Sequence, residues 1–353
     1  MSAGLDARAA QVEPASGAVA ARVAPAVAPH APARRHRFDP KYLPVAVTVS
    51  LFLLMTGFGS VFYTGFFSAQ VLFNLLIDNA FLCIVAVGMT FVILSGGIDL
   101  SVGSVLALTT MVSAALVEQH GVSPALVIPL VLAMGAGFGA TMGFLVQRFR
   151  LQPFIVTLAG MFMARGLCYL ISIDSISITS PFYAAVSQAR LPLWGQASIS
   201  VGGVIALAVV AAGVYLAHWT QFGRTVYAIG GNEYSALLMG LPVARTTVLV
   251  YALSGLCSAL GGVVFTFYMM SGYGLHAMGM ELDAIAAVVI GGTLLSGGVG
   301  YVLGTLFGVL ILGIIQTLIM FDGSLSSWWT RIVIGGLLFV FCLLQRAFEA
   351  RRA

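Results

Sequence analysis

Six ionisable residues fall inside or at the edge of otherwise apolar stretches: Asp78, Asp99, Arg165, Glu281, Asp283 and Arg331. A charge in such surroundings is costly unless it faces a polar path or a partner, so these residues are candidates for passing a solute or an ion. Asp283 and Arg331 stand near stretch ends and read as interfacial or structural. Asp78 lies about 7 residues into its stretch, roughly 10 Å of helical rise, and Arg165 reaches a similar depth from the opposite side. That geometry allows an Asp78–Arg165 pair. Hydrolytic, redox and metal chemistry find no support. The five histidines (His30, His36, His120, His218, His276) form no HExxH and no metal-pair spacing, so no metal site is expected. Cys83, Cys168, Cys257 and Cys342 all sit in apolar runs and read as small buried hydrophobes. A Walker A loop needs Gly-Lys, and Lys41 is the single lysine; a dinucleotide loop needs a βαβ context that is absent. The chain is therefore not expected to hydrolyse ATP or to act as an enzyme.

The elements that must position these charges are membrane spans. Of 353 residues, 60% are hydrophobic and 8% charged, too few charges for a water-facing surface of this size. Apolar runs of spanning length recur almost from end to end. The class expected is all-α: a polytopic membrane protein with about ten transmembrane helices, some short or broken. The spans fall near 43–63, 71–94, 104–117, 124–146, 153–172, 198–218, 246–268, 281–296, 299–320 and 328–345. Residues 1–40 are Ala/Pro-rich and basic, read as a disordered cytoplasmic tail; 41–346 form the membrane domain and 347–353 a C-terminal tail.

Arg34, Arg35, Arg37, Lys41, Arg148, Arg150, Arg224, Arg245, Arg346, Arg351 and Arg352 fall on one side of this layout, and the opposite loops hold Arg190 alone. The positive-inside rule then puts both termini in the cytoplasm. The net charge of +4 is this bias rather than a nucleic-acid signal. The expected location is a membrane that the chain crosses many times, with lipid as the surrounding partner.

Three glycine-marked segments interrupt the apolar pattern. SGGIDLSVGS (95–104) carries Gly96, Gly97 and Gly103, and Asp99 and Ser101 can cap a helix restarting at about 100. It reads as a tight turn or as a re-entrant element lining a path. Gly300, Gly304 and Gly308 share one helical face, as do Gly135, Gly139 and Gly143, suiting close helix contacts. In the loop 220–245, Asn232 can cap a short helix over 232–239 with Glu233 in its first turn, stopped by Gly240 and Pro242. A short helix with exposed apolar side chains, held between long spans, suits docking of another protein.

The stretches FLCIVAVGMTFVILSGGIDLSVGSV (81–105), FIVTLAGMFMARG (154–166), YAIGGN (227–232), ELDAIAAVVIGGTLLSGGVG (281–300) and GTLFGV…FDGSLSSWWT (304–330) carry a resemblance. From about residue 40 to 345 the chain resembles the permease subunits of bacterial ABC sugar importers of the ribose/xylose/galactose type. Within that family it looks most like the permeases of galactofuranose importers. The resemblance implies a bacterial inner membrane as the location and a pore of two related permeases, a heterodimer for the galactofuranose type with a homodimer as the alternative. It also implies a separate ATPase subunit with two nucleotide-binding domains, which uses ATP and Mg, and a periplasmic sugar-binding protein. No cofactor is implied on this chain. The family's ATPase-coupling segment corresponds to 223–241, placing Gly223, Arg224, Gly230, Asn232, Glu233 and Gly240 at or beside the contact. Asn74, Asp78, Asn79, Ser95, Asp99, Ser101, Arg165 and Glu281 are the candidate path or structural polar residues. An ion-coupled secondary sugar transporter is the alternative, since acidic residues within the spans could hold a coupling ion.

Overall fold

The computed structural model describes residues 43–194, 197–324, 326 and 328–350. The tail 1–40 lies outside them, and the tail expected at 347–353 is helical as far as Ala350. Chain order is α1 (Leu43–Phe62), α2 (Ala69–Asp78), α3 (Ala80–Leu94) and α4 (Val102–Ala114), which a π-helical turn extends over Ala115–Gln119. Next come α5 (Pro124–Phe149), α6 (Pro153–Ile171), β1 (Ile176–Ser177), α7 (Pro181–Gln188), β2 (Arg190–Trp194) and β3 (Ala197–Ser200). Then follow α8 (Val201–Trp219), α9 (Gln221–Gly231), α10 (Glu233–Leu238), α11 (Val243–Met269) and β4 (Ser271–Gly272). The chain closes with α12 (Met280–Ile290), α13 (Val302–Asp322) and α14 (Trp328–Ala350). The only sheets among the described residues are the antiparallel pairs β1–β4 and β2–β3. The all-α expectation holds.

Among the described residues eight helices are long and apolar enough to cross a membrane, or nine if the bent pair α2–α3 is one span. The expected ten is not reached on this measure. The stretch expected as a span at 281–296 is the 11-residue α12 followed by turns. The single span expected at 71–94 is broken at Asn79, where α2 and α3 meet at 59°. The Asn79 side chain donates to the Leu75 carbonyl at 2.9 Å and lies against Gly313, whose lack of a side chain leaves room for it. A side chain inserted beside the backbone ladder is a recognised cause of such a kink.

The core forms around α3, in which every residue except Phe81 is buried. Helix α11 packs along both α3 and α5. Small residues set the distance: a Cβ on Gly139 would strike the Tyr251 carbonyl, and one on Gly255 the Gly135 carbonyl. The stripe 135/139/143 therefore meets α11 backbone to backbone, as small residues do between membrane helices. The second stripe is only partly realised. Gly304 and Gly308 on α13 abut Gly291 and Ala287 of α12, but Gly300 lies ahead of the helix, folded over Thr293.

Candidate functional site

Helices α9 and α10 form the feature most suited to receiving a partner. Thr220 caps α9, its hydroxyl accepting from the Gly223 amide at 3.2 Å. Gly223 is buried beneath the Leu216 and Ala217 carbonyls, where no side chain fits. Asn232 caps α10 as expected, accepting from the Ser235 amide at 2.8 Å. Glu233 stands in the first turn, favourable to the helix dipole, and Gly240 exits at φ 75°. Ala236 is buried against Ile229 and Val243. On the other face Tyr234, Leu238 and Met239 are 69%, 70% and 67% exposed, and Arg224 and Glu233 are also exposed. The helix is thus anchored on one face and presents an apolar patch on the other. The sequence indicated α10 but not α9, whose glycines hide its amphipathic pattern.

Beneath this knob two glycine turns meet the glycine-bearing end of α9. The Gly298 amide donates to the Leu94 carbonyl at 2.9 Å. A Cβ on Gly230 would collide with that same carbonyl, and one on Gly297 would sit 2.9 Å from the Gly96 amide nitrogen. Gly96, Gly297 and Gly298 all have positive φ, which glycine adopts without strain. Tyr227 of α9 donates to the Gly300 carbonyl at 2.7 Å. Burial and the neighbouring Tyr301 push the Tyr227 phenol up to about 12, so it stays a neutral donor. The segments 95–101, 220–242 and 291–300 are therefore joined through main-chain contacts. A cleft of about 600 Å³ between α10 and the α5–α6 turn adds Gln147 and Arg150 to the same end of the bundle. The sequence does not mark Tyr227, Gly297 and Gly298 individually; the available signal is the clustering of glycines between 291 and 300.

The polar residues expected along a path separate into three places. Ser95, Asp99 and Ser101 share the turn between α3 and α4. Asp99 is 1% exposed and accepts from the Ser101 amide (2.9 Å), the Ser101 hydroxyl (2.6 Å) and the Ser254 hydroxyl of α11 (2.7 Å). Ser101 gives its hydroxyl to Asp99 instead of capping α4, and Ser95 donates to the Val92 carbonyl at 2.8 Å. The turn is thus tight and pinned to α11, with glycine turns packed over it. Asn74, Asp78 and Asn79 lie at the α2–α3 bend: Asn74 accepts from Gln70 at 2.8 Å, and Asp78 accepts from Tyr268 at 3.4 Å.

The third place holds Arg165 and Glu281. The expected Asp78–Arg165 pair is not formed. Arg165 Nη1 instead donates to the carbonyls of Gly274 (2.5 Å) and His276 (2.7 Å). The reason is the irregular segment between β4 and α12, whose carbonyls lack helical partners and take the guanidinium. Glu281 Oε2 is buried close to Gly103 and the Ala277 carbonyl with no hydrogen-bond donor among the described residues. Asp283 pairs with Arg331 at 2.9 Å, as expected of structural residues.

A family model described as "Branched-chain amino acid transport system / permease component" matches residues 71–342. The chain is 55% identical over 304 residues to the inner membrane ABC transporter permease protein YjfF of Escherichia coli K12, covering 86% of this chain and 92% of that protein. It is 42% identical over 328 residues to the fructose import permease protein FruG of Bifidobacterium longum, covering 91% and 95%. It is 37% identical over 304 residues to the ribose import permease protein RbsC of E. coli K12, covering 85% and 92%. No solved structure matches. With most of its length inside one family model and three long relatives well above the level of chance, the chain belongs to this family of ABC-importer permease components.

Proposed function

We propose that this chain is the membrane-spanning permease subunit of an importer that carries a monosaccharide across a bacterial inner membrane, with galactofuranose as the substrate. A separate ATPase subunit with two nucleotide-binding domains would bind and hydrolyse ATP with Mg and press on α10. A periplasmic sugar-binding protein would deliver the solute, and a second, related permease would complete the pore. Both termini face the cytoplasm in this reading, on the strength of the basic residues at the α9–α10 end.

The observation that carries the reading is α10 itself: an exposed apolar helix on a base of glycine turns that touches α3, α9 and the α12–α13 connection. A push on such a knob reaches several spans through main-chain contacts, which suits alternating access driven from below. The 42% and 37% identities to sugar import permeases support a sugar as solute. The narrower choice of galactofuranose rests on the resemblance of the motifs at 81–105, 154–166 and 281–300.

The test is uptake into vesicles holding this chain with its ATPase, second permease and binding protein, offered galactofuranose, galactopyranose, ribose and xylose. ATP-dependent uptake of galactofuranose alone, lost when this chain is omitted, is the expected result. ATP-dependent uptake of another sugar overturns the substrate assignment. Uptake that follows an ion gradient and ignores ATP overturns the importer mechanism in favour of ion coupling.

A further inference from the structure

The segment 274–283 gathers polar groups that the family assignment does not explain. Arg165 holds its carbonyls at Gly274 and His276. His276 Nδ1 lies 3.4 Å from the Thr110 hydroxyl. Glu281 follows, its Oε2 buried without a donor among the described residues. Asp283 and Arg331 close the strip, with Arg331 also lying over Gly279. The strip is continuous because every member touches the same ten residues of backbone.

Its depth is incompatible with lipid. Arg165 sits 12 residues beyond Pro153 and 6 before Ile171. At helical rise that is about 18 Å from one end of α6 and about 9 Å from the other. Arg165, His276 and Glu281 are each half-buried, and the Glu281 Oε2 is itself enclosed against Gly103 of α4. Partly open ionisable groups and an irregular backbone at this depth require water or protein beside them. The arrangement also has spare capacity. A guanidinium has five N–H groups, and both of the Arg165 bonds described use Nη1. The Glu281 Oε2 is an enclosed acceptor with no donor among the described residues. Donors and acceptors side by side, with both signs of charge present, suit neutral hydroxyl groups better than an ion of either sign.

We infer that the strip Arg165–His276–Glu281 is the wall of a water-filled solute path and a contact site for the hydroxyl groups of a neutral polyol. Arg165 shapes the segment and offers donors, and the Glu281 carboxylate, whose Oε2 is enclosed beside Gly103 in this packing, accepts from a hydroxyl when the path opens at that point. The polyol class rests on the sugar reading above; the location of the path does not.

The experiment uses the full assembled importer in proteoliposomes, with Cys342 replaced by alanine and the buried Cys83, Cys168 and Cys257 kept. Single cysteines replace Leu282, next to Glu281 and 60% exposed, and Leu54, 71% exposed on the charge-free α1. A membrane-impermeant methanethiosulfonate reagent then reports water contact, because only a hydrated thiol ionises and reacts. L282C is expected to react at least about tenfold faster than L54C, and galactofuranose or ribose, whichever is transported, is expected to slow it. In the same assembly Glu281→Gln is expected to raise the KM for uptake by about tenfold, the equivalent of one hydrogen bond to a charged acceptor, with a smaller effect on the maximal rate. Equal reaction at the two positions overturns the path. Fast reaction that the transported sugar does not slow, with KM unchanged in Glu281→Gln, overturns the polyol site. An assembly that hydrolyses ATP but imports none of the sugars counts against the proposed function, while the labelling ratio still decides the path.

Discussion

The two ends of the bundle keep irregular backbone in place by different means. At the α9–α10 end, turns at 95–101 and 291–300 meet through glycines and a main-chain bond from Gly298 to Leu94. At the opposite end charged side chains reach across to loops. Arg165 takes the carbonyls of Gly274 and His276. Glu118 accepts from the Thr179 amide and hydroxyl at 2.8 Å each and from the Ser180 amide at 2.9 Å. Main-chain contacts at closest approach leave little room for the joined segments of the first end to move against one another. Long side chains can release and re-form, so the second end can open by exchanging a few hydrogen bonds. A machine pushed at one end and opened at the other would need this division.

The contrast can be broken, starting with the largest effect. Gly230→Ala puts a Cβ against the Leu94 carbonyl, where neither backbone can move away. It is expected to lower stability by about 3 kcal/mol, seen as earlier exposure of the buried cysteines on heating in detergent. An unchanged melting profile would mean that the glycine turns are not rigidly joined. Arg165→Met leaves the Gly274 and His276 carbonyls without this donor. It is expected to cost about 2 kcal/mol and to speed hydrogen exchange over 271–279 before any other segment. Exchange that rises evenly over the whole chain would show that the segment is not separately held.

Ser254→Ala removes one of three donors to Asp99. An expected loss of about 1 kcal/mol in thermal or denaturant unfolding would measure how firmly α11 holds the α3–α4 turn. On α10, Leu238→Ser is expected to change stability by less than about 0.5 kcal/mol, since the side chain is exposed. The same change is expected to weaken ATPase-subunit binding by about tenfold or more in a pull-down titration, as for a buried apolar anchor in an interface. Undiminished binding would move the docking surface elsewhere. The smallest effect belongs to Gly231→Ala. A Cβ there meets nothing within 4 Å, so stability should stay within about 0.5 kcal/mol. The difference between positions 230 and 231 then isolates backbone contact from glycine content.

Much of the candidate site was legible in the sequence where it depends on neighbours along the chain. Asn232 followed by Glu233 and closed by Gly240 specifies a capped short helix through local hydrogen bonds and dihedral preference, and α10 has that form. The stripe at Gly135, Gly139 and Gly143 pointed to a close helix contact but not to its partner α11. Contacts between distant residues were not legible. Equal depth made Asp78 and Arg165 look like partners, yet depth along a helix says nothing about the direction a side chain faces around it. Asn79 stands out in the sequence as a polar candidate, but its kink was not legible, because it depends on room beside Gly313, far away in the chain.

The sequence by itself determined that this is a many-span helical membrane protein, that the chain turns at 95–101, and that a short capped helix lies near 232–239. These follow from composition, from the length needed to cross hydrocarbon and from local capping, all properties of contiguous residues. Only the tertiary structure decided that Arg165 serves the carbonyls at 274 and 276, that Gly96, Gly230 and Gly297 meet in one place, and that Glu281 keeps an acceptor without a donor among the described residues. The physical reason is that an unpaired polar group in a membrane protein takes whichever partner packing brings within about 3 Å, and sequence distance does not enter that choice.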